Sequence, residues 1–375
     1  MSQQYDVVVL GAGIVGAACA LEFSRAGMCV AIVERGVIGG EATAAGMGHI
    51  VVMDDSPAQF ALTRYSQMLW AELAPTLPKS VEHDCCGTLW IAQNKEEMLE
   101  VQRKYTYYQS QGIPVEILDS NDLIKAEPNL SGSLSGALLV PEDAVLYPPA
   151  AALSLVHRAQ ELGAKLYLNK TVVRAGDSEV LLHDATLLRA DRIVNAMGAS
   201  AGAVTPGLPI RKRKGHLIIT DRYPGYCRHQ MVELGYLTSA HSVAGSSVAF
   251  NLQPRPTGQL LLGSSRQFDV DDGFVDRSIV EAMIERAQMF IPKLGLLSAL
   301  RIWTGFRVAT PDHLPLIGGF QLDASMFLAV GHEGLGITTS LATAHLLVDQ
   351  FLQRKSIISP NPYLPSRFSM AEAHA

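Results

Sequence analysis

The sequence predicts an α/β fold in two interleaved domains: a discontinuous domain built on a parallel sheet, and a mainly antiparallel sheet inserted into it. Three observations predict it. Short apolar, β-branched runs followed by helical stretches lie at both ends of the chain and near residues 150–200. Between them, runs alternate polar and apolar residues as antiparallel strands do. The length of 375 residues suggests two to three domains at ~150 residues each.

Tyr5–Leu10 has the pattern of a buried strand. Ile14–Arg25 reads as a helix with small residues on one face, stopped by Gly27, and Cys29–Val33 as a second strand. Together they form a βαβ unit. Gly36–Gly48 is dominated by glycine, alanine and threonine and reads as a loop followed by a short helix. Pro57–Leu73 and Lys95–Gln111 are amphipathic helices on either side of a strand at Gly87–Ala92. Ala150–Gly163 is a helix, and Lys165–Leu168, Thr171–Arg174 and Arg192–Ala196 are strands. His216–Thr220, Ser247–Leu252 and Gln259–Ser264 form the antiparallel part, with Pro254–Gly258 as a turn. Arg277–Phe290 is a helix, Met326–Val330 a buried strand and Ile337–Leu352 a closing helix. The expected division gives 1–80, 140–208 and 300–375 to the first domain, and 81–139 and 209–299 to the second.

Composition narrows the function classes. With 48% hydrophobic and 18% charged residues, the chain is neither disordered nor fibrous. A net charge of -6 argues against a nucleic-acid binder. The five cysteines (Cys19, Cys29, Cys85, Cys86, Cys227) form no C-x-x-C pair, which argues against a disulfide framework or a metal centre. Cys85 and Cys86 read as ordinary reduced thiols, which fits a reducing cytosol. The longest apolar run, Val7–Leu21, is shorter than the ~18–20 residues of a membrane span. No basic segment precedes it, so a soluble, cytoplasmic protein is expected. The run Arg211-Lys212-Arg213-Lys214 reads as a solvated edge.

Gly11-Ala12-Gly13-Ile14-Val15-Gly16 matches G-x-G-x-x-G between a strand and a helix, and Glu34 closes the next strand at close to the ~20-residue spacing of dinucleotide sites. Gly11 permits the tight turn, Gly13 lets backbone approach a pyrophosphate, and Gly16 lets helix and strand pack closely. The helix N-terminus offers N–H groups to phosphates. Glu34 is placed to accept hydrogen bonds from ribose hydroxyls. Beginning the fingerprint within a few residues of the N-terminus favours FAD over NAD.

After Arg35, the stretch Gly39-Gly40-Glu41-Ala42-Thr43-Ala44-Ala45-Gly46-Met47 resembles the segment that carries the FAD pyrophosphate and flanks the isoalloxazine in the D-amino-acid oxidase superfamily, above all in its glycine oxidase and sarcosine oxidase branch. Four further blocks carry the likeness along nearly the whole chain. Thr171-Val172 resembles the strand whose valine backbone meets adenine. Ile193–Ala199, containing Gly198, resembles the segment beneath the FAD, with Ser200 where the family usually has tryptophan. Trp303–Asp312, containing Gly305 and Arg307, resembles "WAGLRPxTPD". Gly331-His332-Glu333-Gly334-Leu335-Gly336-Ile337-Thr338 resembles the last glycine loop. Gly215-His216 resembles an "RGQ" segment near the cavity.

The resemblance implies a glutathione-reductase-2-type flavoprotein: a Rossmann-like FAD-binding domain with an inserted mainly antiparallel-sheet substrate domain. It implies that Arg307 holds a substrate carboxylate and that hydride leaves Cα for flavin N5. Gly331–Thr338 opens a helix toward the flavin N1–C2=O edge, with Thr338 adding a hydroxyl donor. His49, His332 and Asn251 become candidates for the substrate cavity. Asn251 lies at or near the position of a family tyrosine, which suggests a substrate polar at its far end. No cysteine follows Cys227, so FAD is expected to be non-covalent.

Arg213–Leu217, Asn251 and the turn Gln253–Gly258 resemble β subunits of heteromeric dehydrogenases for D-hydroxyproline and opines, and of hydrogen cyanide synthase. That implies partners: an α flavoprotein subunit and a small ferredoxin-like subunit, carrying FMN or an iron–sulfur cluster. The expected substrate is a cyclic D-imino acid such as cis-4-hydroxy-D-proline. The alternatives are a stand-alone glycine or D-amino-acid oxidase that gives hydrogen peroxide, and an opine dehydrogenase subunit.

Overall fold

The computed structural model describes residues 3–235, 246–268 and 270–368. The ends of the outer expected segments and residues 236–245 of the inner one lie outside that range. The first sheet follows the order Leu316–Phe320, Asp323–Val330, Leu187–Asn195, Gln3–Leu10, Val30–Glu34, Lys165–Leu168, with the strands Val172–Gly176 and Glu179–Leu182 added beside Leu187–Asn195. Its four central ladders are parallel. Side chains alternate across it as the pleat requires. Val7, Val9 and Ile32 enter the core shared with the helices Ile14–Arg25, Pro148–Glu161 and Gly336–Phe351, while Val8, Leu10 and Val33 enter the opposite core.

The second sheet follows the order Ala299–Ala309, Arg211–Arg222, Gln259–Phe268, Ser247–Pro254, Gln230–Glu233, Thr88–Ala92, Gly136–Val140, Glu116–Asp119. All its ladders are antiparallel except Gln230–Glu233 with Thr88–Ala92. One face packs on the helix Arg277–Phe290, where Phe250 and Phe290 stack at 4.4 Å. The other face carries Trp90, Leu138 and Val232 against the helix Lys95–Ser110 and residues Val51–Met53. The α/β architecture with a mainly antiparallel second sheet is therefore present.

Details depart from the reading. Ala299–Ala309 pairs along its length with Arg211–Arg222, so the second sheet runs past the expected boundary at 300. Gly136–Val140, Glu116–Asp119, Gln230–Glu233 and Leu316–Phe320 are strands that the sequence pattern leaves unassigned. The Arg211–Lys214 run is only half an edge. Arg211 and Lys212 are exposed, but Arg213 is 8% and Lys214 2% exposed, paired with Glu333 and Asp272 respectively. Those partners are remote in sequence, which is why the run looks solvated.

Two features tie the sheets together. His49–Ile50 pairs antiparallel with Ala144–Val145. The chain beyond it places Asp54 in a buried ion pair with Lys104, the two side chains 1% and 0% exposed. Tyr108 Oη donates to Asp54 Oδ1 (3.2 Å) and lies 3.1 Å from Val52 O. Lys104 also sits over the Trp90 ring at 5.2 Å.

Candidate active site

A cavity of about 710 Å³ runs along the carboxyl ends of the parallel strands, where open α/β sheets bind ligands. Gly11, Glu34, Ala196 and Val330 bring those ends to its wall. Gly11 has φ +97°, and a Cβ there would lie 2.7 Å from Ala196 O. Gly13 presents bare backbone beside Thr43. Glu34 is held by two backbone donors: Ala12 N–H to Oε2 (2.8 Å) and Gly36 N–H to Oε1 (2.7 Å). One helix donor is already used, since Ile14 N–H donates to Thr43 Oγ1 (3.0 Å).

Most of the expected residues meet at this one cavity. Ile14, Val15, Arg35, Ala42, Ala45, Gly46, Met47, Val172, Gly198, Gly331, Gly334, Gly336 and Ile337 line it with those already named. Arg35 pairs with Glu41 at 2.9 Å. Ser200 is also on the wall. Four expected residues are not, and each has a packing reason. A Cβ on Gly16 would lie 2.0 Å from Gly11 O, and one on Gly305 2.1 Å from Ala45 Cβ, so Gly16 serves close backbone approach and Gly305 makes room for the Ala45 methyl. Leu335 packs in the core with Trp90 and Tyr108, and its carbonyl accepts from Thr339 N–H. Thr338 is 0% exposed and its hydroxyl donates to His49 O (2.8 Å), so it anchors the His49 strand rather than offering a donor to the cavity. His216 is likewise enclosed, accepting from Asp276 N–H (3.0 Å) and bonded to Ser265 Oγ (3.0 Å), and neither it nor Gly215 lines the cavity.

Arg307, His49, Asn251 and His332 are all on the cavity wall, and His49 stands close enough to Arg307 to feel its charge. Arg307 donates from Nη2 to Ser265 O (3.3 Å) and lies across Gly215, where a Cβ would stand 2.8 Å from Nη2. Burial and the Arg307 charge push His49 down to about 4, with Gln253 opposing them. Burial alone brings His332 down to about 3, and its Nε2 is 3.0 Å from Thr343 Oγ1. Both imidazoles are therefore neutral at neutral pH. Glu333, also on the wall, is held by Arg213 and by His313 Nδ1 at 3.1 Å. Burial raises its carboxyl, but His313, Arg213 and Arg266 outweigh that and keep it below the usual value.

Ser264 lines the cavity without any motif marking it, and Lys212 and Leu217 line it too, marked in the sequence only as members of longer runs. Gln253, beside His49, had a readable signal: Asn251 and Gln253 are polar residues two apart in the apolar stretch that follows Ser247, so they share one face.

The bare glycine backbone and the carboxylate placed beyond it fit a dinucleotide. The sequence pattern of the FAD dependent oxidoreductase family, DAO, matches residues 6–350. The chain belongs to this family. Its relatives include glycine oxidase from Geobacillus kaustophilus, 27% identical over 379 residues and covering 98% of each chain. Hydrogen cyanide synthase subunit HcnC from Pseudomonas aeruginosa is 27% identical over 428 residues, covering 98% of this chain and 97% of that protein. The crystal structure of the Geobacillus kaustophilus glycine oxidase superposes with a TM-score of 0.87 at 25% identity, over 98% of this chain and 100% of that one. As expected from the sequence, the chain is a DAO-family flavoprotein. Among the described residues no helix is long and apolar enough to cross a membrane.

Proposed function

We propose that this protein oxidises a small amino or imino acid at its Cα, and that it is the catalytic β subunit of a dehydrogenase. The observation that carries the reading is Arg307 on the wall of the same cavity as the glycine cradle, flanked by the neutral His49 and the amide of Asn251. A guanidinium binds a carboxylate through two parallel hydrogen bonds, which fixes the ligand's orientation as well as its position. Gly11, Gly13, Thr43 and Gly46 would hold the FAD pyrophosphate segment, Glu34 the ribose and Val172 the adenine. Gly331, Gly334, Gly336 and Ile337 would flank the flavin. When bound, FAD supplies the hydride acceptor. Arg307 holds the carboxylate, and its positive charge together with the enclosure of the site disfavours a substrate ammonium, which favours the neutral amine that oxidation requires. The first sheet with its helices serves the cofactor, and the second sheet the substrate.

The preferred substrate is a cyclic D-imino acid such as cis-4-hydroxy-D-proline. Similarity to a subunit of hydrogen cyanide synthase supports a multisubunit dehydrogenase. The implied partners are an α flavoprotein and a small ferredoxin-like subunit, assembled in the cytoplasm. Similarity to glycine oxidase favours the second reading, a stand-alone oxidase using oxygen. An anaerobic flavin-bleaching screen over D- and L-amino acids, proline derivatives, sarcosine and opines tests the reaction class. Peroxide formation against dye reduction then separates the two readings. Stoichiometric peroxide at a useful rate would exclude the dehydrogenase.

A further inference from the structure

Three buried polar atoms at the Arg307 end of the cavity have no partner in good hydrogen-bonding geometry: Asn251 Oδ1, Gln253 Oε1 and His49 Nε2, although the Gln253 side chain is close enough to His49 to act on its imidazole as a hydrogen-bonding neighbour. Asn251 is 5% and Gln253 2% exposed, so bulk water does not satisfy them. Buried polar groups without partners are uncommon and costly, and a cluster of them beside a ligand cavity needs an explanation. Asn251 and Gln253 stand on one face of the strand Ser247–Pro254. Asn251 lies opposite Gly263, and the Met47 thioether fills the place a side chain there would take. Asn251 and His49 both reach the cavity wall beside Arg307, and Gln253 lies against His49.

The chemistry of these groups restricts what satisfies them. Two amide oxygens repel an anionic group. A cationic side chain would be desolvated there among neutral partners only. An apolar side chain leaves the acceptors unpaired. A hydroxyl meets every requirement, because it donates one hydrogen bond and accepts others. Turning an amide exchanges an unpaired acceptor for an unpaired donor, and a hydroxyl serves either.

We propose that Asn251, Gln253 and His49 form a specificity subsite for a neutral hydroxyl carried by the substrate whose carboxylate rests on Arg307. The protein thereby selects hydroxylated amino or imino acids over their unsubstituted counterparts. This rests on the amino-acid reading above and selects within it. The neutral state of the His49 imidazole agrees with it.

The test compares matched pairs on the FAD-loaded protein: cis-4-hydroxy-D-proline with D-proline, and D-serine with D-alanine, with the L pairs alongside. The expected result is a preference in kcat/KM of ~10–100-fold for the hydroxylated member of a pair, with Asn251→Leu reducing that ratio to near one. A wild-type ratio of one or less for every pair, or an Asn251→Leu loss equal for both members, overturns the subsite. A second measurement needs neither turnover nor a variant. Titrating the visible flavin spectrum with 3-hydroxybutyrate and with butyrate should give tighter binding of the hydroxy acid, and equal dissociation constants overturn the proposal. If no amino or imino acid reduces the flavin, the reaction class falls, while this titration still reports on the subsite.

Discussion

Replacing Arg307 by alanine is the sharpest perturbation of the proposed chemistry. The guanidinium is set before any ligand arrives, since Nη2 already donates to Ser265 O and the group lies across Gly215, which has no side chain to displace it. A substrate carboxylate therefore gains two charge-assisted hydrogen bonds without reorganising the site. Removing one partner of such an enclosed pair costs ~3–5 kcal/mol. At ~1.4 kcal/mol per tenfold, kcat/KM should fall by about two to three and a half orders of magnitude. Arg307→Lys keeps the charge but not the planar fork, so its loss should be smaller. A second signature follows from the same geometry. The Arg307 charge helps hold His49 at about 4, so Arg307→Ala should raise the His49 pKa and move any His49-linked acid limb of the rate profile to higher pH. Stopped-flow anaerobic flavin reduction reads both effects, with FAD content and circular dichroism as controls for folding. An alanine variant that folds, holds FAD and keeps wild-type kcat/KM would refute the role given to Arg307.

Other perturbations probe the frame around the site. Gly16→Ala places a Cβ 2.0 Å from Gly11 O, and overpacking of this kind costs ~1–3 kcal/mol, so the melting temperature and FAD content of the purified variant should both drop. Lys104→Ala removes the buried partner of Asp54 but leaves Arg103 on its Oδ2 (2.8 Å) and Tyr108 on its Oδ1, so it should destabilise in urea unfolding by less than the ~3–5 kcal/mol of a buried charge left alone, whereas Lys104→Met with Asp54→Asn should recover part of that loss. Burial raises Asp143 from 3.8 to about 7, with Thr88 and Val52 N–H opposing it. The folded protein therefore binds a proton there that the unfolded chain has released. The associated stability is full below about 3.8 and is lost as pH rises through about 7. Unfolding at pH near 5 and near 8 should show this decline in the wild type and its absence in Asp143→Asn. Equal slopes would contradict it.

The parts of the fold that could be read from the sequence are those where local chemistry and tertiary role coincide. Ile14–Arg25, Pro57–Leu73 and Arg277–Phe290 have the ends expected of them, because a stop glycine, a proline at the first turn or an aspartate cap marks each boundary. Gly11 and Gly13 could be read because backbone approach to a phosphate tolerates no side chain. Ala299–Ala309 could not, because it is an edge strand with an exposed first half and a glycine inside, so it has no clean alternation. Gln230–Glu233 is fully buried and too short to show a period. Within the site, Arg307 was visible through its motif. The burial of Arg213 and Lys214 was not, since Glu333 and Asp272 reach them only in the folded chain. The partner of the Thr338 hydroxyl is hidden in the sequence for a similar reason. Its hydroxyl is used by His49 O, and nothing near Thr338 in sequence announces that.

The parallel ladder joining Leu187–Asn195 to Asp323–Val330, and the helix Gly336–Phe351 behind it, have a consequence for synthesis. The βαβ unit leaves the ribosome well before the helix Gly336–Phe351, and Phe23 in it meets the Phe351 ring only once all the segments between them have been made. Until then one flank of the nascent unit is bare apolar surface, a sticky intermediate that invites holdase binding. The Gly331–Ile337 lip of the cavity arrives in the same late stretch. Translation thus delivers the two halves of the nucleotide cradle far apart in time, and capture of the cofactor becomes an event that waits for the second half and can lock the assembled chain.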